Sequence, residues 1–410
     1  MFKSINMKKL VLITMVSFTP FILATSTFAD SKLGAQAYLE TNAWQSYKRY
    51  DASHFLMIPM FYAYENEEAG LKKDFDAYVS SFYKKNENTL DFKSNSQRLN
   101  DIQFLYFLTT YAILSDNKYP QYTNKMLQDV QDIWNTVPAW QWGKKPFANM
   151  KARLDWKIKA NKAEDFNRAI TDEELFTLGA AANLSRIYPS DPTLKEINSY
   201  TEQIFKQRST FDNGRWLFDV GAWDNHPTFA YSGYSDTKNI TVKKPKKNIV
   251  TDSSHFMRMP VLLWSFQGAF PKSSQQYTQF KNYRLGLEKQ FFEKVVVRSE
   301  NKILLNNFMD GSNGVFRWEY PSLGKGKGYG PYDLTPTLGM AWWALLPGTR
   351  IQKLYSNYHD QLNTSKKQSS CDSMMQDMLK GKKSQYDFSL TNCMYLFNTD
   401  LASKISDKRM

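Results

Sequence analysis

Apolar residues recur with helical spacing along most of the chain. In the stretch TDEELFTLGAAANLSRIYPSD (171–191), Thr171 and Glu174 have the spacing of a capping box, and Pro189 follows the end of the pattern. The apolar stripe of this segment consists of Leu175, Leu178, Ala182 and Leu184. These signals predict an amphipathic helix over 172–187.

The same reasoning predicts a chain of helices joined by short loops, which favours antiparallel helical hairpins. The predicted helices cover approximately 32–48, 55–66, 70–85, 96–115, 121–135, 172–187, 193–207, 258–269, 275–294, 336–346 and 350–362.

Two long stretches interrupt the helical pattern. Residues 208–251 are rich in aromatic, Gly and Asn residues and then become strongly basic. Residues 301–335 predict a β-hairpin, KILLNNFM (302–309) and VFRWEY (315–320) around a DGSNG turn, followed by a Gly/Lys-rich run. Long irregular insertions in a compact helical protein are more often functional than structural.

The ends of the chain differ from this central part. Residues 1–29 have a Lys-rich start, an apolar core over 10–24 and small residues at 27–29, which predicts a signal peptide rather than a membrane span. We therefore expect a protein exported to the periplasm or beyond the cell. Residues 30–360 would form the main domain and residues 361–410 a peripheral polar tail. Its two cysteines, Cys371 and Cys393, are predicted to form a disulfide worth about 3 kcal/mol.

The formal net charge of +13 indicates the kind of partner that the protein binds. Removing the three lysines of the predicted signal peptide leaves +10. A basic exported protein favours an anionic partner such as an acidic polysaccharide or a cell-envelope glycan. Nucleic acid is not expected, because no binding motif is recognisable. No cofactor is expected, and no metal either, since the chain lacks the spacing of zinc or calcium ligands.

One phrase occurs twice in the chain. Residues 51–61 read DASHFLMIPMF and residues 252–262 read DSSHFMRMPVL, and the whole chain has only four histidines. A proline follows each histidine by five positions, which predicts that Pro59 and Pro260 lie near helix starts. His54 and His255 would then lie on the turns that enter these helices.

The two copies differ in the residue three positions after the histidine. The second copy has Arg258, which can bind a carboxylate with two parallel hydrogen bonds, where the first has an apolar Met57. We therefore expect His255 to be functional, while His54 either contributes to substrate binding or serves as a hydrogen-bonded brace.

Asp252-Ser-Ser-His255 opens an apolar helix, and Tyr332-Asp333-Leu334 precedes TLGMAWWALLP (337–347). In these phrases and in its helical organisation the chain resembles the six-hairpin toroid proteins among carbohydrate-active enzymes: polysaccharide lyases, uronate epimerases and unsaturated-glycan hydrolases. The resemblance implies an all-α fold, an (α/α) toroid of helical hairpins with aromatic loop insertions and one small β-hairpin.

The two insertions supply residues suited to sugar recognition, since aromatic rings stack on pyranose faces while polar groups bind hydroxyls. PAWQWG (138–143) could add a further aromatic platform. The candidate binding residues are Trp216, Trp223, Tyr231, Tyr234, Trp318, Tyr329 and His54.

Three functions remain open. A lyase would use His255 or His226 as base, Arg258 to neutralise a uronate carboxylate and Tyr332 or Tyr234 as acid, and an epimerase would share its first step. A glycoside hydrolase would use two carboxylates. A glycan-binding protein would need neither. The candidate carboxylates are Asp224, Asp252, Glu319 and Asp333.

Overall fold

The computed structural model describes residues 32–39, 46–84, 89–141, 146–160, 166–236, 240–300, 302–380 and 388–405. The predicted signal peptide at 1–29 lies outside these ranges. No helix within them is both long enough and apolar enough to cross a membrane.

The described part of the chain is mostly helical, which confirms the all-α class. Its α-helices are α1 Lys32–Leu39, α2 Ser46–Glu65, α3 Ala69–Lys84, α4 Arg98–Leu114, α5 Pro120–Asn135, α6 Met150–Lys159, α7 Asp172–Ser185, α8 Pro192–Arg208, α9 Ser253–Phe256, α10 Met259–Gly268, α11 Gln275–Gln290, α12 Arg350–Leu362, α13 Ser365–Leu379 and α14 Phe388–Lys404. A π-turn at Phe291–Val295 follows α11.

Helices that are not adjacent in sequence pack side by side around one apolar core. Helix α2 packs against α4, α4 against α7, and α7 against α10, while α14 packs against the other side of α2. The intervening helices pack on members of this set: α3 on α2, α5 and α8 on α7, α11 on α10 and α12 on α14.

Two small antiparallel sheets accompany the helices. Strand β1 (Ser209–Asp212) pairs with β2 (Arg215–Phe218), and β3 (Val296–Ser299) pairs with β4 (Lys302–Leu305). The predicted hairpin between 302–309 and 315–320 is therefore wrong in its pairing. The chain after β4 pairs instead with the segment before α9, where Ser253 N donates to Asn307 O at 2.8 Å and Met309 N to Thr251 O at 3.2 Å.

The segment predicted as a helix at 336–346 is not an α-helix. It forms two 3₁₀ turns, Thr335–Met340 and Trp342–Leu345, on either side of Ala341. Ala341 has a φ of +67°, and a left-handed residue cannot continue a right-handed helix. The apolar side chains of Trp342 and Trp343 are nevertheless fully buried, as the hydrophobic pattern indicates.

Pro59 lies in the interior of α2 and not near a helix start, so that prediction is wrong for the first copy of the repeated phrase. A proline inside a helix leaves the carbonyl four residues earlier without its backbone donor. Here that carbonyl belongs to Phe55, and it accepts a hydrogen bond from Asn398 Nδ2 at 3.1 Å. The donor from α14 replaces the missing N–H. Pro260, in contrast, lies in the first turn of α10 as predicted.

The C-terminal segment is not a peripheral tail. Helix α14 contributes Met394, Phe397 and Leu401 to the same core as the central helices. The predicted disulfide is confirmed: Cys371 of α13 and Cys393 of α14 are bonded, with their Cα atoms 5.3 Å apart.

Candidate functional site

A cleft of about 510 Å³ opens where the two irregular insertions meet the ends of α7 and α10. Its walls are the first turn of α7, the segment around α9, and parts of both insertions. A larger and more open groove of about 900 Å³ lies beside α11, but its lining contains no histidine. The chemistry of the lining therefore selects the smaller cleft as the candidate site.

The second copy of the repeated phrase supplies the centre of this cleft. Asp252 is the N-cap of α9, and its Oδ1 accepts from the backbone amides of Ser254 at 3.1 Å and His255 at 3.0 Å. This capping bond fixes the carboxylate beside the imidazole, where His255 Nδ1 lies 2.9 Å from Asp252 Oδ2. Asp252 is buried, whereas the side chain of His255 is 26% exposed. Asp252 is therefore held in the protein interior, while the His255 side chain is accessible from the cleft.

A third residue, Arg317, indicates which ring nitrogen of His255 carries the proton. Nη2 of Arg317 lies 2.9 Å from His255 Nε2, and a guanidinium has only donors. His255 Nε2 must therefore accept, and Nδ1 carries the proton that is donated to Asp252. In this tautomer the lone pair of Nε2 is directed at a cation on the cleft wall.

Burial alone would raise the pKa of Asp252. The charge that His255 carries when it is protonated, together with the hydrogen bonds from His255 and Ser254, outweighs that effect and lowers this pKa to about 2. The carboxylate is consequently ionised at any pH near neutral and can stabilise positive charge on His255.

Arg317 belongs to the second insertion and has a φ of +54°, which costs a non-glycine residue on the order of 1–3 kcal/mol. Its neighbours hold it in place, since Phe316 N donates to Tyr329 O at 2.8 Å and Trp318 N donates to Thr228 O at 3.2 Å. The guanidinium carbon lies 4.3 Å from the ring centroid of Tyr320. Contacts between the two insertions thus aim this arginine into the cleft.

Arg258 also lines the cleft, but its guanidinium is already bound. Nη1 donates to the carboxylate of Asp172, and Nη2 lies 3.0 Å from Tyr50 Oη and 3.1 Å from His54 Nε2. Burial alone would lower the pKa of Arg258, but the charge of Asp172 outweighs it and the pKa is raised. The predicted carboxylate-binding role therefore suits Arg317 better than Arg258.

His54 is buried beneath Arg258 and serves as a brace. Its Nδ1 lies 2.9 Å from Tyr50 O, while Nε2 faces the guanidinium. Burial, and then the charge of Arg258, hold the pKa of His54 well below its usual range. Both histidines of the repeated phrase thus direct Nε2 at an arginine, but only His255 reaches the cleft.

Two carboxylates of the α7 first turn line the cleft, and both are paired with arginines. Asp172 binds Arg258, and Glu173 Oε2 lies 2.7 Å from Arg153 Nη1 and 3.1 Å from Arg98 Nε. Neither carboxylate therefore presents an isolated acid to the cleft.

The floor behind this turn is a buried ionic cluster. Glu174 Oε1 lies 2.5 Å from both Arg153 Nε and Lys157 Nζ, and Glu174 Oε2 accepts from Thr171 N at 2.6 Å. Burial opposes ionisation here, but the two cations and the Thr171 donors lower the pKa of Glu174 to about 2. The predicted capping box of α7 is present and is part of this cluster.

The first insertion contributes Trp223 and His226 to the cleft. His226 Nδ1 accepts from Thr228 N at 3.2 Å, so the neutral ring carries its proton on Nε2. Burial, followed by the charge of Arg317, lowers the pKa of His226 to about 4. At neutral pH His226 is thus an uncharged donor rather than a base.

The remaining predicted carboxylates lie outside the cleft. Asp224 accepts from Asn248 N at 2.9 Å and Ile249 N at 3.0 Å, and it faces a separate cavity. Glu319 is exposed and accepts from Gly326 N, and Asp333 accepts from Gly330 N at 2.7 Å. These three side chains stabilise loops.

Most of the predicted aromatic binders also lie elsewhere. Trp216 is fully buried in the core, where Nε1 donates to Ser209 Oγ at 2.8 Å. Tyr231, Tyr234 and Trp318 form an aromatic cluster beside the cleft, with the rings of Tyr231 and Trp318 4.4 Å apart. Outside the cleft lining are also Tyr329, which pairs with Phe316, and Tyr332, which is exposed.

Sequence reasoning missed Arg317, Asp172 and Glu173, and it placed Tyr320 in an aromatic cluster without a catalytic role. Arg317 stands within FRWEY, where the pattern drew attention to the aromatic and acidic residues. The two carboxylates had a sufficient structural explanation as acids in the first turn of a helix. The signal that could have found Arg317 is a cation among aromatics inside an insertion already regarded as functional.

Trp140 of the PAWQWG segment does line the cleft, with the Arg98 guanidinium 5.1 Å from its ring centroid, whereas Trp142 lies outside the described ranges. Over those ranges, no group of three or more His, Cys, Asp or Glu side chains is arranged to hold a metal ion.

No protein-family model matches the chain, and searches of curated proteins and of solved structures find no significant match.

Proposed function

We propose that the protein is an exported enzyme that cleaves an acidic polysaccharide by β-elimination. The observation that carries this proposal is the row Asp252–His255–Arg317 at the wall of an open cleft. It combines an imidazole whose Nε2 lone pair accepts from Arg317, a buried carboxylate that stabilises the protonated ring, and a cation 2.9 Å from the base.

In the proposed reaction, the Arg317 guanidinium exchanges its hydrogen bond to His255 Nε2 for one to the carboxylate of a uronate unit, which frees the Nε2 lone pair and withdraws charge from the carboxylate. This lowers the barrier to removing the proton on the adjacent carbon, C5. His255 Nε2 takes that proton, and the C–H electron pair forms the C4–C5 double bond as the C4–oxygen bond breaks. Asp252 stabilises the imidazolium, in the manner of a histidine–carboxylate pair.

The leaving oxygen needs a proton. Tyr320 is the tyrosine in the lining of the cleft over the described ranges, and its ring lies against the Arg317 guanidinium. We assign it the role of general acid, in place of Tyr332 and Tyr234. An epimerase would share the first step and return a proton to C5 from the other face.

Hydrolysis is less well supported. A glycoside hydrolase needs one protonated and one ionised carboxyl on opposite sides of the bond. In the cleft Asp252 is committed to His255, and Asp172 and Glu173 are each paired with arginine. Asp224, Glu319 and Asp333 do not reach the cleft.

The scaffold we propose is an (α/α) toroid, as the resemblance to carbohydrate-active enzymes implies. Support comes from the packing order, in which α2, α4, α7 and α10 are successive neighbours, α14 packs on α2, and helices between them pack on members of this set. Export is proposed from the signal-like pattern of residues 1–29.

The test is exposure of the protein to polygalacturonate, alginate and hyaluronan, with ultraviolet absorbance of unsaturated products and reducing ends measured in parallel. We expect both signals to rise together on at least one polymer. His255→Ala is expected to reduce the turnover rate about 10²–10⁴-fold and to leave binding of that polymer unchanged.

His359→Ala is the matched control, because His359 lies in α12 with Nδ1 3.1 Å from Leu396 O and does not line the cleft. Reducing ends without absorbance would indicate hydrolysis and contradict the proposal. Binding without turnover of any polymer would indicate a glycan-binding protein.

A further inference from the structure

A second cavity, of about 270 Å³, lies next to the cleft and is here called the basic cavity. Its lining includes Phe166, Arg168, Asp224, Lys246 and Lys247. The two spaces share a wall of side chains. The ring of Phe166 contacts edge-on the ring of His226, which lines the cleft, at a centroid distance of 4.4 Å.

The consecutive residues Trp223 and Asp224 also link the two spaces, since Trp223 lines the cleft and Asp224 the basic cavity. Asp224 binds the amides of Asn248 and Ile249, and Gly221 N donates to Ile249 O at 2.8 Å. These bonds fix the end of the basic segment 243–247 against the cleft wall. The basic cavity is therefore built by the fold rather than left between solvated chains.

The inner wall of the basic cavity contains a buried arginine whose carboxylate partner is shared. The guanidinium of Arg168, only 6% exposed, and that of Arg208 share one carboxylate, Asp219. Asp219 Oδ1 lies 2.8 Å from Arg208 Nη1 but 3.8 Å from Arg168 Nη1. Burial lowers the pKa of Arg168; the charge of Asp219 opposes this effect, the charge of Arg208 adds to it, and the charge of Asp224 opposes it. A buried cation that is only partly compensated favours a bound anion.

The rim adds two lysines. Lys246 Nζ has a loose contact of 3.5 Å with Asp310 Oδ2, and Lys247 has no salt-bridge partner in the part of the chain that the structure describes. The one carboxylate in the lining, Asp224, has both oxygens engaged by backbone amides. The basic cavity thus offers three cations to a ligand.

We propose that the basic cavity binds a second anionic group, a carboxylate or a sulfate, on the same glycan chain that occupies the cleft. This inference rests on the proposed function, because it takes its ligand from the polymer cleaved there. It implies that long polyanionic chains bind better than fragments that fill the cleft alone.

The experiment measures retardation in native gels that contain polygalacturonate, dextran sulfate or neutral dextran, with His255→Ala as the background to prevent cleavage. In this background we expect Lys246→Gln/Lys247→Gln to weaken retention by the charged polymers about three- to tenfold, from two exposed ion pairs. Lys243→Gln/Lys244→Gln, from the same segment but outside the cavity lining, is the matched control for net charge.

Selective weakening in the Lys246/Lys247 pair supports the proposal, and the polymer that shows it identifies carboxylate or sulfate as the anion. Equal weakening in both pairs, no weakening, or no retention of the parent protein overturns it. The gels measure retention in the His255→Ala background, in which the polymer is not cleaved. A protein that binds through the basic cavity but cleaves nothing would therefore refute β-elimination alone.

Discussion

The assignment of His255 as a base depends on which ring nitrogen carries the proton, and Asp252→Asn tests this directly. Asp252 Oδ1 accepts the two capping amides and the Ser254 hydroxyl, while Oδ2 faces His255 Nδ1 at 2.9 Å. In the variant, the amide oxygen is needed at the capping position, so the amide nitrogen faces the ring. The amide nitrogen is a donor and favours an accepting Nδ1 with the proton on Nε2, against the capping oxygen, which lies 3.0 Å from Nδ1.

The moved proton faces Arg317 Nη2, which lay 2.9 Å from Nε2 and also donates. The base is lost, and in the proposed reaction turnover falls by about 10²–10⁴-fold. The pKa of Asp252 is about 2, against an ordinary 3.8, so its ionised form stabilises the folded state by about 2 kcal/mol. We expect the variant to lose about that much free energy of unfolding at neutral pH.

The pH dependence has a definite sign. A depressed carboxyl pKa contributes its stability fully above pH 3.8 and loses it as the pH falls through about 2. The difference in unfolding free energy between the wild type and Asp252→Asn should therefore be constant near neutral pH and shrink in that acidic window.

The assay is ¹⁵N NMR of the histidine ring nitrogens, which is simple in a chain with four histidines. His255 of the wild type should show a protonated Nδ1, and the Asp252→Asn variant a protonated Nε2. Ser254→Ala is the control, since it removes one hydrogen bond to Asp252 but leaves the ring facing a carboxylate. A proton that stays on Nδ1 in Asp252→Asn, or already lies on Nε2 in the wild type, refutes the reasoning.

Two further predictions concern the scaffold. Glu174→Gln should lower the free energy of unfolding in urea by about 3–5 kcal/mol, because two buried cations lose their shared carboxylate. Adding Lys157→Met should restore part of that loss, and a further decrease instead would contradict a coupled buried pair. Cys371→Ser/Cys393→Ser should cost about 3 kcal/mol for a cross-link of 22 residues. Reductant should lower the urea midpoint of the wild type and leave that of the double variant unchanged; a wild-type midpoint insensitive to reductant would argue against the cross-link's contribution.

Signals within a few residues predicted the parts of this protein that depend on local chemistry. The capping box at Thr171 and Glu174 follows from side chains bonded to nearby backbone, and the place of Pro260 in the first turn of α10 follows from its missing N–H. The even pair of cysteines predicted its own disulfide. The second histidine turn was also found from its phrase alone, as was the presence of Trp223 and His226 beside it.

The sequence could not predict contacts between residues that lie far apart in the chain. The donor that lets Pro59 lie inside α2 is 343 residues from the carbonyl it binds, and Arg317 is 62 residues from His255. Strand β4 pairs with β3 rather than with 315–320 because the chain after β4 is held by Thr251 and Ser253. Local patterns identified many of the helical segments, although not the two 3₁₀ turns within 336–346, and they identified the second histidine turn. Only the tertiary structure decided which arginine faces the base, since that depends on hydrogen bonds between two insertions that no short-range signal encodes.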